Sequence, residues 1–217
     1  VKKKRRVCVI DYGMGNIRSV SKAFEKMGAS VTVSDDKNKI FSADAVVLPG
    51  VGSFDAAVGN LKRKGLWKLM PTLIGSKPFF GICLGLQLLF DGSQEGKERG
   101  LGILAGNVRR FPSSAKLPVP HMGWNTTRPA AGLPTPPVVK NLSDKDYFYF
   151  VHSYYAPAFE GKRKKAYPPS VSALSSDYGA EFCSAVSFGR AFACQFHPEK
   201  SGDAGLAIIK NFVEGIS

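Results

Sequence analysis

Among the four cysteines and three histidines of this 217-residue chain, Cys83 has the setting of a nucleophile. It stands in Gly81-Ile82-Cys83-Leu84-Gly85, after the strand-like Lys77–Gly81 and before the apolar run Leu84–Phe90, which reads as a helix. Gly-x-Cys-x-Gly between a strand and a helix is the thiol form of a nucleophile elbow. Glycines on either side let the backbone turn sharply without a Cβ clash. A thiol at such a tip lies at a helix N-terminus, whose dipole favours thiolate, and the amide of Leu84 can face an oxyanion. On its own the pattern also fits a small buried core cysteine. Cys8, Cys183 and Cys194 sit in strand-like apolar contexts and read that way.

A thiolate in acyl transfer needs a base, and the base needs an orienting group. His197, in Gln195-Phe196-His197-Pro198-Glu199, follows a strand candidate and has Glu199 two residues on across a rigid proline. That carboxylate can hold the imidazole tautomer and stabilise imidazolium. His121 lacks a nearby acid, and the nearest to His152 is Asp146. A third feature, Pro49-Gly50-Val51-Gly52, directly follows the strand Ala45–Leu48. Loops at the carboxyl ends of parallel strands are where α/β sites form, although this one also fits an ordinary turn.

The first 90 residues must supply the elements that position these groups. Val7–Asp11, Ser30–Ser34, Ala45–Leu48 and Lys77–Gly81 read as strands. Asn16–Met27 has apolar residues at helical spacing, and further helices start near Ser53 and Leu66. Strands alternating with helices predict a parallel sheet with right-handed crossovers. Beyond Gly100 the strand candidates shorten: Gly106–Phe111, Val119–Asn125, Tyr147–Val151, Ser170–Ala173, Phe182–Ser187 and Ala191–Gln195. They predict an antiparallel extension of the same sheet, closed by a helix over Ala204–Val213. Loops within Pro112–Pro120, Pro129–Pro137 and Pro157–Pro169 are expected to be exposed. One domain spanning residues 1–217 is expected.

Hydrophobic residues make up 44% and charged residues 22%, a globular balance. No apolar run approaches a membrane span, and the basic start lacks a signal peptide's apolar stretch. That start also resembles a nuclear-localisation run, although a frayed terminus before the first strand explains it equally. Scattered cysteines without CxxC spacing fit a reducing cytoplasm rather than a disulfide framework. The net charge of +13 is spread over separated runs without interleaved aromatics, so it reads as solvated surface or as steering of an acidic partner, not as a nucleic-acid site.

Gly81-Ile82-Cys83-Leu84-Gly85-Leu86-Gln87 together with Gln195–Glu199 resembles the class I (triad) glutamine amidotransferases. Within that family, five further stretches resemble the glutaminase subunits of imidazole glycerol phosphate synthases. They are Asp11–Asn16, Pro49–Gly52, His121–Asn125, Tyr149–Tyr154 and His197–Ser201. Leu86 speaks against the anthranilate and carbamoyl-phosphate relatives, which usually carry histidine there. The resemblance implies a flavodoxin-like α/β fold with a central, mostly parallel sheet. It implies Cys83 as nucleophile, His197 as base and Glu199 as its orienter. An oxyanion hole would come from Val51, Gly52 and Leu84, and glutamine contacts from Gln87, Glu95, Ser153 and Tyr154. It implies ammonia transfer to a separate (β/α)8-barrel cyclase, forming a heterodimer through Asn16, Met122, Trp124 and Lys200. No metal, cofactor, nucleic acid or membrane is called for. A triad amidotransferase serving another acceptor subunit is the alternative.

Overall fold

The computed structural model describes residues 4–112, 117–143, 145–159 and 167–216. The basic stretch Lys162–Lys165 lies outside them. In chain order the strands and α-helices are β1 (Arg6–Ile10), α1 (Ile17–Lys26), β2 (Ser30–Ser34), α2 (Lys37–Ser42), β3 (Ala45–Gly50), α3 (Phe54–Arg63), α4 (Met70–Ser76), β4 (Phe79–Cys83) and α5 (Leu84–Gln87). There follow β5 (Phe90–Ser93), β6 (Leu104–Arg110), β7 (His121–Thr126), β8 (Arg128–Pro129), β9 (Tyr147–His152), β10 (Tyr154–Tyr155), β11 (Ser172–Asp177), β12 (Glu181–Phe188), β13 (Ala191–Cys194) and α6 (Gly202–Glu214).

The main sheet has eight strands in the order β2-β1-β3-β4-β13-β12-β11-β8. Neighbours from β2 through β13 run parallel, and β12, β11 and β8 add antiparallel pairs. Side chains alternate between its two faces, as strand geometry requires. Cys8, Ile10, Val46, Leu48 and Phe79 pack under α2, α3 and α4, while Val7, Val9, Val47 and Phe80 pack under α1 and α6. Covered on both faces, β3, β4 and, after its exposed Arg6, β1 are apolar throughout rather than alternating. Among the described residues, no helix is long and apolar enough to cross a membrane.

The expected antiparallel extension is only partly present. β8, β11, β12 and β13 join the main sheet, whereas the Gly106–Phe111 candidate became β6, paired with β5 and β10. The candidates at Val119–Asn125 and Tyr147–Val151 became the two-stranded sheet β7-β9. That pair has one buried side, with His121, Phe148, Phe150 and His152 against the core, and one side exposing Met122, Trp124 and Tyr147. It covers the main sheet instead of lengthening it.

The run Leu84–Phe90 is not one helix. It is a single turn, Leu84–Gln87, followed by β5. Leu84, Leu86, Leu88, Leu89 and Phe90 are all buried, so the run carries no periodicity to separate helix from strand. The loops expected to be exposed also send side chains inward: Ala130, Leu133 and Phe159 are buried. The short polar α2, capped by the Asp36 carboxylate on the Lys39 amide, was not anticipated because only Ile40 on it is buried.

Candidate active site

Three adjacent parallel strands end together at the site. Gly50 at the end of β3 pairs with Cys83 at the end of β4. On the other flank Ile82 pairs with Cys194 of β13, which brings Gln195 up beside Cys83 and leads on to His197. The candidates for oxyanion loop, nucleophile and base therefore converge on the carboxyl edge of the sheet, where parallel α/β folds bind ligands.

Cys83 takes φ 53° and ψ −102°, a positive-φ conformation that a non-glycine residue adopts only when its surroundings enforce it. The enforcement is steric. A Cβ on Gly85 would collide with the carbonyl oxygen of Leu48, and one on Gly81 would lie 2.9 Å from the Gly85 oxygen. Only a glycine pair lets the elbow sit this close to β3. Because α5 is one turn long, its contribution at the thiol is local, from its first free amides rather than a long helix dipole.

His197 and Glu199 are brought together as expected: His197 Nδ1 lies 2.9 Å from Glu199 Oε1, with both side chains almost wholly buried. Burial alone would lower the basicity of the imidazole. The charge on the Cys83 sulfur, together with the Glu199 carboxylate, outweighs burial and raises His197 to about 10. Among the described residues His197 Nε2 has no hydrogen-bond partner, yet the imidazole is near enough to feel that sulfur. The turn carrying His197 is clamped to β9, since its amide donates to the Tyr149 carbonyl and Ser201 Oγ donates to the His197 carbonyl. Burial pushes Cys8 up to about 11 and raises Cys183 and Cys194 as well.

The remaining anticipated residues fall in varied places. Leu84 follows the nucleophile directly and is buried, while Val51 is exposed beyond Gly50. Gly52 has a φ of 105°. Glu95 Oε2 accepts from the Phe54 amide at 2.8 Å, which ties β5's loop to the start of α3 just after Gly52. Gln87 is buried, and its amide nitrogen donates to the Tyr154 carbonyl (2.8 Å) and to Gln195 Oε1 (3.1 Å). Ser153 is half-buried, and its carbonyl accepts from the Phe111 amide. Two groups at the site were not anticipated. Gln195 Nε2 lies 3.4 Å from Cys83 Sγ. The buried Tyr12 hydroxyl has no hydrogen-bond partner among the described residues and occupies the space beside Gly50, where a Cβ would lie 2.7 Å from it. Burial raises the Tyr12 phenol, and the charge on Cys83 raises it further. Both lie inside stretches singled out in the sequence, Gln195–Glu199 and Asp11–Asn16, but nothing in those stretches marks either one for a place at the sulfur.

Residues 8–216 match the family Glutamine amidotransferase class-I. The chain belongs to the class-I glutamine amidotransferases. This amidotransferase is 47% identical over 211 residues to "Imidazole glycerol phosphate synthase subunit HisH" of Thermosynechococcus vestitus, covering 95% of each chain. It is 43% identical over 208 residues to the protein of the same name from Rhodopirellula baltica, covering 95% of this chain and 96% of the relative. Among solved structures, PurLQS from Thermotoga maritima superposes with a TM-score of 0.63 at 19% identity, covering 99% of this chain and 100% of that one. A glutamine amidotransferase from the same organism superposes with a TM-score of 0.59 at 18% identity, covering 91% and 77%. At those identities the likeness is one of fold.

Of the residues expected to meet a partner, three lie near one another in this amidotransferase. Met122 is 63% exposed and Trp124 56%. Trp124 meets the Tyr149 ring edge-on at 5.9 Å, and Lys200 Nζ lies 5.6 Å from the centroid of the same ring. Asn16 stands apart from these contacts, its side chain accepting from the Ser19 amide to cap α1.

Proposed function

We propose that Cys83, His197 and Glu199 hydrolyse glutamine through a glutamyl thioester. As a HisH-type amidotransferase, the chain acts in histidine biosynthesis as the glutamine-hydrolysing subunit of imidazole glycerol phosphate synthase. The observation that carries the residue assignment is the His197–Glu199 pair, buried and 2.9 Å apart, at the strand edge where the Cys83 elbow ends. An imidazole held positive beside the sulfur favours thiolate. The thiolate attacks the carboxamide carbon, and the amides of Leu84 and the Val51–Gly52 segment receive the developing oxyanion. His197 gives its proton to the departing amine, which leaves as ammonia. Neutral His197 then takes a proton from water, whose attack on the thioester yields glutamate and restores the thiolate. Glu199 keeps the Nδ1 proton in place throughout. Glutamine contacts are assigned to Gln87, Ser153 and Tyr154, with Glu95 bracing the loop after Gly52.

The ammonia passes to a cyclase subunit of (β/α)8-barrel type, docked as a heterodimer over Met122, Trp124, Lys200 and the Asn16 end of α1. An exposed tryptophan and methionine beside the base-bearing turn suit anchors of such an interface. The cytoplasm is the compartment this assigns. Glutamate release by the chain mixed with a ligand-loaded cyclase tests the reading. Stimulated release that disappears in Cys83→Ala is expected, and a chain that no cyclase stimulates would overturn it.

A further inference from the structure

Gln195 is fully buried, and no step of the reaction above uses it. Its side chain nevertheless touches the reacting atom, with Nε2 3.4 Å from Cys83 Sγ. Which end of a glutamine amide faces a neighbour has to be read from the hydrogen bonds around it. Here those bonds leave one answer. The Tyr154 carbonyl can only accept. It lies 2.8 Å from the Gln87 amide and 2.8 Å from His152 Nδ1, so both of those groups are donors. The Gln87 end facing Tyr154 is therefore NH2, and the same NH2 faces Gln195 at 3.1 Å. Gln195 must answer with its oxygen, which turns its own NH2 toward the sulfur. Reversing either amide would set donor against donor or oxygen against oxygen. The histidine side is equally determined. With Nδ1 of His152 protonated and the ring neutral, its Nε2 accepts from His121 Nδ1 at 3.2 Å. Burial holds both rings neutral, His121 at about 4 and His152 at about 3.

We propose that Gln195 is a further catalytic residue, whose amide N–H stabilises the Cys83 thiolate at rest and again when it leaves the thioester, held in this sense by Tyr154 through Gln87. The inference rests on Cys83 being the nucleophile and deepens that reading. Two titratable groups face the sulfur from other elements, the charged His197 beyond β13 and the neutral Tyr12 hydroxyl after β1. The Glu199 carboxylate stands behind His197. Gln195 adds an uncharged donor from the β13 side, which cannot take the proton it offers.

The test uses the full chain in three variants. Gln195→Met keeps size and removes the donor. Gln195→Glu keeps an acceptor for Gln87 and turns an oxygen to the sulfur. Gln87→Glu touches no sulfur, but it offers Gln195 only acceptors and so reverses its amide. Alkylation of Cys83 by iodoacetamide is followed by mass spectrometry from about pH 5 to about pH 10, across the range in which thiols titrate. The profile is expected to move to higher pH in all three variants, furthest in Gln195→Glu. In the complex with its cyclase, Gln195→Met is expected to lower kcat by about 10- to 100-fold, the worth of a hydrogen bond to a charged atom, with KM within about twofold. A Gln195→Met profile that overlays the wild type would overturn the proposal whatever happens to kcat. Should Gln195→Met fail to fold, an unmoved Gln87→Glu profile does the same. A wild-type chain that hydrolyses no glutamine would instead sink the functional reading, while the alkylation profiles still decide the role of Gln195.

Discussion

At the scale of single residues, the chemistry depends on keeping one imidazole charged and two neutral. His197 is raised to about 10 by Cys83 and Glu199 against its burial, so the stability it adds is complete below its unfolded value near 6.5 and is lost as pH rises toward 10. His121 and His152 are depressed to about 4 and about 3, so the unfolded chain binds their protons first and stability falls as pH drops below about 6.5. Urea unfolding across this range is expected to show a maximum near neutrality. Its acid limb should approach about 2.7 kcal/mol per pH unit, the slope for two protons. Cys83→Ala should flatten the alkaline limb. Glu199→Gln, which removes the orienting charge but keeps the shape, should lower kcat for glutamine hydrolysis by about 100-fold or more. The proposed triad could be picked out because each part lies in a short motif. Gln195 and Tyr12 were not, because their closeness to Cys83 comes from strand order and register, which no local spacing records.

At the scale of elements, the elbow depends on how tightly α5 meets β3. Gly85→Ala would drive a methyl into the Leu48 carbonyl, where backbone rather than a yielding side chain is the obstacle. We expect a loss of about 3 kcal/mol or more in unfolding free energy, together with loss of glutaminase activity. The same rule explains what could be read of the elements in advance. β1, α1, β2, β3 and α3 were legible because their apolar runs are distinct and Asn16 and Ser53 mark the helix starts, whereas the polar α2 between β2 and β3 gave no such signal. The Leu84–Phe90 run was misread because its side chains are buried on every side, and the β7-β9 pair because covering a sheet and extending it ask for the same alternation.

At the scale of the whole molecule, one surface stands out from a broadly basic protein. The ring of Tyr149 sits between Trp124 and Lys200, and its backbone carbonyl receives the His197 amide. Docking on this face thus bears on the strand that holds the base. Trp124→Ala is expected to leave the free chain's stability within about 0.5 kcal/mol, since the side chain is exposed, yet to weaken cyclase binding by about 2 kcal/mol or more in calorimetric titration. With a net charge of +13, the association rate should fall steeply as salt rises if the cyclase presents an acidic face. The central claim remains the nucleophile, and covalent labelling with a glutamine-analogue electrophile, mapped by mass spectrometry, tests it most directly. A single adduct on Cys83, strengthened by the ligand-loaded cyclase, is the predicted result. Equal labelling of Cys8 or Cys194 would contradict it.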